Sequence, residues 1–193
     1  MKNLRLIALT FAVVFATACK DNKKETETEV KTEVEEIVKK DTTEKRLSIT
    51  LSPKSDSNVE GTINFVEKNG MVTMVGTVTG LEEGEHAIHI HEKADCSSDD
   101  GKSSGGHWNP TGQPHGAWGD AAGYHKGDIG NFTTNANGRA TITKTTDEWC
   151  IDCGDKTKDI LGKAIIVHLG VDDLKSQPSG AAGARIGCAG IIE

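Results

Sequence analysis

From Arg46 onward, short runs in which apolar and polar residues alternate are separated by turn residues, and that period of two predicts strands. Leu47-Ser48-Ile49-Thr50-Leu51 alternates throughout, and Val59 to Val66 leads through Lys68-Asn69-Gly70 into Met71 to Val78, which is a hairpin signal. Arg139 to Lys144, Ala164 to Leu169 and Ala189 to Ile192 are further strand candidates. Together these runs predict an all-β domain of about seven or eight strands in a sandwich or barrel. The alternation fails between His91 and Asn131, where the chain is Gly-rich. An irregular segment of that length inside a compact domain is usually functional or disordered.

The N-terminal part follows a different pattern. Lys2 and Arg5 precede an apolar run from Leu6 to Phe15, then small residues up to Cys19. The run is shorter than the roughly 20 residues that span a bilayer, so residues 1–18 are expected to be a cleaved signal peptide. Phe15-Ala16-Thr17-Ala18-Cys19 resembles a bacterial lipobox, with Ala16 where Leu is usual, and this makes Cys19 the expected lipidation site. From Lys20 to about residue 45 the chain is dense in Lys, Glu and Thr. Only Val30, Val34, Ile37 and Val38 offer an apolar face, so residues 19–45 read as a lipidated Cys and a charged tether. One domain, 46–193, remains.

Charge narrows the partners. Loss of Lys2 and Arg5 with the leader takes the formal net charge from −7 to −9, which argues against nucleic-acid binding.

All seven histidines lie in the β domain. His89 and His91 are two apart in the strand-like run Ala87-Ile88-His89-Ile90-His91, so their rings project from one face and can ligate one ion. His86, three before His89, falls on the opposite face and reads as structural. In the irregular stretch, His107, His115, His125 and Asp128 supply three imidazoles and a carboxylate, a set that suits closed tetrahedral zinc. His168 follows the apolar run Ala164 to Val167 and adds a third imidazole to His89 and His91. A fourth nitrogen from His107 would give the N-rich surroundings that Cu(II) prefers, with one ring serving two metals.

In order and spacing these segments resemble the copper,zinc superoxide dismutase family. The likeness is carried by Glu83 to Glu92, Gly106-His107-Trp108-Asn109-Pro110, His115-Gly116, His125 to Asn131, Val167-His168 and Gly183 to Cys188. It implies a Greek-key β-barrel of about eight antiparallel strands with long metal-binding loops. It implies copper on His89, His91, His107 and His168, zinc on His107, His115, His125 and Asp128, and His107 as a bridge that carries a proton. Superoxide is the implied substrate, dismutated to dioxygen and hydrogen peroxide. Arg185 matches the arginine that attracts the anion, and Asp172 matches the carboxylate that orients rings on both metals. A metal carrier on the same fold is the main rival, but such domains often lack a copper ligand or the arginine, and here every such position is filled.

Setting Cys19 aside, Cys96, Cys150, Cys153 and Cys188 admit three pairings, in an exported chain where disulfides persist. The resemblance implies Cys96 with Cys188. Cys150 and Cys153 have no counterpart in it, and they read as a small-loop disulfide in preference to a redox or metal role. The expected location is the bacterial envelope, lipid-anchored and facing the periplasm, with the outer membrane favoured and surface exposure as the alternative. Monomer and homodimer both remain open.

Overall fold

The structure is a computed structural model that describes residues 44–193. The signal peptide, Cys19 and almost all of the expected tether lie outside the described residues. Regular structure begins with β1 (Lys45–Pro53) and continues through β2 (Glu60–Lys68), β3 (Met71–Thr79), β4 (Gly84–His91), β5 (Gly130–Thr134), β6 (Ala140–Thr146), β7 (Ala164–His168) and β8 (Arg185–Gly190). One short 3-10 turn, Lys102–Ser104, is the only helical element among the described residues.

All pairings are antiparallel, in the order β5-β4-β7-β8-β1-β2-β3-β6. The two end strands, β5 and β6, are consecutive in sequence and joined by the turn Asn135 to Arg139, in which the Asn135 N–H donates to the Arg139 carbonyl at 3.0 Å. The sheet therefore curls into a nearly closed barrel, with Greek-key crossovers from β3 to β4 and from β6 to β7. Closure removes most of the exposed strand edge.

In β1, β2 and β3 the period of two is visible as burial. Ile49 and Leu51, Ile63 and Phe65, and Val72, Met74 and Val78 point inward, while Ser48, Thr50, Thr62 and Asn64 face solvent. Each such aliphatic or aromatic side chain contributes about 1.5–3 kcal/mol by leaving water. The expected hairpin is present: Asn69 and Gly70 both take positive φ between β2 and β3, as a primed turn requires.

The other half of the barrel behaves differently, because β4 from His86 to His91 and all of β7 are buried on both faces. Ile88, Ile90, Ile165 and Val167 enter the main core, whereas Ala164 and Ile166 pack outside it with Cys188 and Cys96. His89, His91 and His168 have this second, outward parity. Their face is covered by the long connection from β4 to β5 and the shorter one from β7 to β8.

Two sequence expectations differ from what is observed. β8 starts at Arg185, not near Ala189, because Gly187, Ala189 and Gly190 give it too little apolar contrast to read as a strand. β5 falls at the end of the Gly-rich stretch, where Phe132 and Thr134 are the only inward side chains.

Candidate metal centre

His89 and His91 leave β4 on the outward face, and His168 does so from the adjacent β7, where His89 pairs with Ile166 in register. His107 is brought to them by the β4–β5 connection, which returns along β4: it forms a bridge with His91, Trp108 N–H donates to the Ile90 carbonyl at 2.8 Å, and Ile90 N–H donates to Gly127 at 2.9 Å. The ring centroids of His89 and His107 are 4.0 Å apart, those of His91 and His107 5.0 Å, and those of His89 and His168 4.9 Å. On its far side His107 meets His115 at 5.4 Å and His125 at 5.8 Å.

The result is two sets of side chains, His89, His91, His107 and His168 in one and His107, His115, His125 and Asp128 in the other. Within each, the prospective ligand atoms lie within 4.8 Å of one another and every residue is buried. The structure thus brings together all seven expected ligands, and His107 belongs to both sets.

The hydrogen bonding shows what these sets fit. Seven buried side-chain polar atoms among the described residues have no hydrogen-bond partner, and six are ring nitrogens of this cluster: His89 Nδ1, His91 Nε2, His107 Nε2, His115 Nδ1, His125 Nδ1 and His168 Nε2. Leaving so many buried polar atoms unmatched would cost several kcal/mol in total unless something binds them. The opposite nitrogens of most of these rings are used. His89 Nε2 and His115 Nε2 donate to the two oxygens of Asp172 at 2.8 and 2.9 Å. His91 Nδ1 donates to the Gly105 carbonyl at 2.9 Å, and His168 Nδ1 to the Gly183 carbonyl at 3.3 Å. Each such bond fixes a tautomer and turns a lone pair toward the cluster.

Asp128 lies 3.0 Å from His115 Nδ1 and 3.2 Å from His125 Nδ1 without hydrogen-bond geometry, which is how ligands converging on a common ion are arranged. The donor sets fit the metals: four imidazoles for copper, three imidazoles and a carboxylate for zinc.

Electrostatics favours the metal-ready protonation states. Burial, reinforced by neighbouring rings, lowers His107 to about 4 and His168 to about 3, and pushes His91 well below its usual 6.5. Burial alone would raise Asp128. Hydrogen bonds from the His107 ring and the His125 main chain outweigh it and keep the carboxylate ionised. Asp172 is likewise opposed by burial but drawn down to about 2, chiefly by His89, the Leu174 N–H and His115.

These shifts make the metal-free domain acid-sensitive. Its unfolded chain takes up protons on His91, His107 and His168 near pH 6.5, whereas in the folded domain His107 resists until about 4, His168 until about 3, and His91 is held well below 6.5. Between those values the unfolded state binds more protons, so stability must fall as pH falls. Thermal melts of the metal-free protein at pH 7.5 and pH 5 are expected to show a lower midpoint at pH 5; an equal or higher midpoint there would contradict the assignment of neutral buried rings.

Beside the four-histidine set is a cavity of about 400 Å³, lined by His91, His107, His168, Pro178, Ser179 and Arg185 among others. Arg185 faces His168 across β7–β8, and its Nη1 donates to the Gly101 carbonyl at 3.0 Å and to Ser104 Oγ at 3.2 Å. Those partners come from the segment that Cys96 ties to β8, since Cys96 and Cys188 are disulfide-bonded. Cys150 and Cys153 also pair, in a loop where Asp159 accepts main-chain N–H groups from Asp152, Cys153 and Gly154, each at 3.0 Å. His86 is buried on the core-facing parity of β4, with Nε2 3.0 Å from the Glu82 carbonyl and Nδ1 3.3 Å from that of His168. It is not part of either set.

Several supporting groups had no signal in the sequence reading. The carbonyls of Gly105 and Gly183 belong to residues without a side chain. Asn131 brackets Asp172, its Oδ1 accepting the Asp172 N–H and its Nδ2 donating to the Asp172 carbonyl, both at 2.8 Å. Only its place in the run His125 to Asn131 marked it.

A model of the family described as copper/zinc superoxide dismutase (SODC) matches residues 59–191. A Brassica juncea protein named superoxide dismutase [Cu-Zn] 2 is 38% identical over 148 residues, which is 72% of this chain and 91% of that protein. Among solved structures, a SOD-like protein from Bacillus subtilis is 28% identical, with a TM-score of 0.66 over 75% of this chain and 97% of that one. A double mutant of it, with a tyrosine and a proline each changed to histidine, is 30% identical with a TM-score of 0.66, covering 76% of this chain and 97% of that one. With the family match running from the end of the β1–β2 connection to the residue after β8, and the plant relative matched over nearly its whole length, the chain belongs to the copper/zinc superoxide dismutase family.

Proposed function

We propose that this protein dismutates superoxide at the two-metal centre, with His89, His91, His107 and His168 holding copper and His107, His115, His125 and Asp128 holding zinc. The single observation that carries the reading is the convergence of six unpartnered buried ring nitrogens on two sets that share His107, beside Arg185. Copper, when bound, supplies alternate one-electron oxidation and reduction, by which one superoxide becomes dioxygen and a second, with two protons, becomes hydrogen peroxide; zinc supplies a fixed positive charge beside the shared ring.

The chain's own residues do the rest. Arg185 is always protonated, and two hydrogen bonds hold its guanidinium in the wall of the cavity, so a small anion is drawn to His91, His107 and His168. His107 turns Nε2 toward the copper set and Nδ1 toward Asp128, which makes Nε2 the atom placed to hold a proton and pass it to product. Asp172 keeps the rings of His89 and His115 in one fixed relation. Metal content and superoxide turnover measured on one loaded preparation test the reading. Two metals per chain without turnover would leave a metal carrier.

The finer reading is an envelope lipoprotein of a bacterium. Residues 1–18 would be removed, Cys19 lipidated, and the domain held in the periplasm on its acidic tether, at the outer membrane in preference to the inner one. The leader pattern and the lipobox-like Phe15 to Cys19 support it, as do two disulfides, which persist in oxidising compartments. Both sets of ligands come from one chain, so a monomer or a homodimer would serve. Cys19→Ala is expected to move the protein from the membrane pellet to the soluble envelope fraction; pelleting unchanged by the substitution would count against lipidation.

A further inference from the structure

His115 is held at two places by one segment of chain. Its ring Nε2 donates to Asp172 Oδ1 at 2.9 Å. Its main chain is met by Gln177, whose Oε1 accepts the His115 N–H at 2.9 Å while Nε2 donates to the His115 carbonyl at 2.9 Å and to the Lys175 carbonyl at 3.1 Å. Among the described residues, no other partner serves the main-chain N–H or carbonyl of His115. The amide thus pairs with His115 as a neighbouring strand would, although His115 lies in an irregular connection 62 residues away.

The segment that presents Gln177 is well defined. Gly180 N–H donates to the Ser176 carbonyl at 2.6 Å, Asp173 N–H donates to the Gly180 carbonyl at 2.8 Å, and Asp173 Oδ1 accepts the N–H groups of Lys175 and Ser176. It is also pressed against the ligand, because a Cβ on Gly180, at φ +67°, would fall 1.7 Å from Asp172 Oδ1 and 2.6 Å from His115 Nε2. Pro178 and Ser179, the next two residues, line the cavity beside the copper set.

His125 needs no such help, since its own N–H donates to Asp128 Oδ2 at 2.8 Å, three residues along the chain. His115 donates no main-chain bond of its own to Asp128; the N–H of the next residue, Gly116, does so, to Oδ2 at 3.2 Å. Its Nδ1 lies 3.0 Å from that carboxylate, with the Gly116 N–H held by Asp128 and the N–H and carbonyl of His115 itself held by Gln177.

We propose that Gln177 is a positioning residue of the zinc half of the centre, clamping the main chain of His115 so that its ring can take part in the His107, His115, His125 and Asp128 set. This rests on the reading of that set as the zinc site. Gln177 is solvent-exposed and touches a ligand's main chain, so its loss should act on the metal and little on the fold.

The test compares the full chain with its Gln177→Met and Gln177→Glu variants. Methionine keeps the length and loses both hydrogen bonds. Glutamate can still accept the His115 N–H but sets its second oxygen against the His115 and Lys175 carbonyls. Zinc loss to a chelator is expected to be about tenfold faster in both variants, at the low end for a group supporting a metal ligand. The visible spectrum of Co(II) placed in the zinc half should also shift. The thermal midpoint of the metal-free variants should stay within about 2 °C of the unsubstituted protein. Unchanged zinc loss and Co(II) spectra in both variants would overturn the proposal, as would a fall of the metal-free midpoint large enough to account for the zinc loss. Failure of the unsubstituted chain itself to take up zinc would overturn the reading of the site instead.

Discussion

His168→Ala is expected to reduce superoxide turnover by on the order of a hundredfold or more, while the protein still binds zinc. His168 belongs to the four-histidine set alone, the one proposed to hold copper, and its Nε2 is one of the four nitrogens offered there. Removing it leaves three imidazoles from β4 and the returning connection, and opens the side of the cluster nearest Arg185. Affinity for copper and control of its geometry both depend on the full donor set. The zinc set loses nothing directly, since His107, His115, His125 and Asp128 stay in place and Asp172 still holds His89 and His115. Alanine costs some packing, because the ring is buried on the outward face of β7, but that face is separate from the main core. Metal analysis after loading, paired with a turnover assay, checks both halves of the result. Turnover equal to that of the unsubstituted protein would remove the copper assignment, and parallel loss of zinc would mean that the two sets are not separable.

The second large effect concerns stability. Replacing Cys96 and Cys188 together by alanine is expected to destabilise the domain by about 4–5 kcal/mol, because the bond closes a loop whose ends are 92 residues apart. For a domain of this size the thermal midpoint should fall by about 10–15 °C. Paired replacement of Cys150 and Cys153, which are three residues apart, should cost only about 2 kcal/mol on the same chain-entropy argument. The larger loop also reaches the site. The segment from Cys96 to Ser104 supplies both hydrogen-bond acceptors of Arg185, and Cys188 lies three residues beyond that arginine on β8. Without the bond, turnover per bound copper should therefore fall and lose part of its dependence on ionic strength, as the guanidinium is no longer held in the cavity wall. Thermal melts and turnover at two salt concentrations check this. Equal midpoints for the two double variants would show that loop size does not govern their stability.

Much of the barrel was legible because solvent sits on one side of its first three strands. Ile49, Leu51, Ile63 and Phe65 alternate with polar residues since only one face of β1 and β2 needs to be apolar, and in β3 Val72 and Met74 are buried while Met71 and Val75 are exposed. In β4 and β7 that reasoning weakens, as both faces are buried and the pattern becomes a continuous run. There the histidines themselves supplied the parity, His89 and His91 outward and Ile88 and Ile90 inward. β8 was expected near Ala189 and its start at Arg185 was missed, because close approach leaves room only for small residues there: a Cβ on Gly187 would come within 3.2 Å of Leu51, and one on Gly190 within 2.7 Å of the Ala94 carbonyl.

By itself the sequence determined which groups are available and which of them share a strand face. Side-chain type and a spacing of two are local properties, so His89 with His91, the Asn69-Gly70 turn and the donor types in the Gly-rich stretch needed no fold to be read. The division of the histidines between two sets sharing His107 came from donor chemistry and from family resemblance. Only the tertiary structure decided how those groups are held. The return of the chain along β4 that brings His107 to His91, the double hold of Asp172 on His89 and His115, the carbonyls of Gly105 and Gly183, and the grip of Gln177 on His115 all join residues that are distant in sequence or act through the main chain. Such contacts exist only once closure of the barrel and the covering loops has met the entropy of bringing them together, and a one-dimensional pattern carries no record of that.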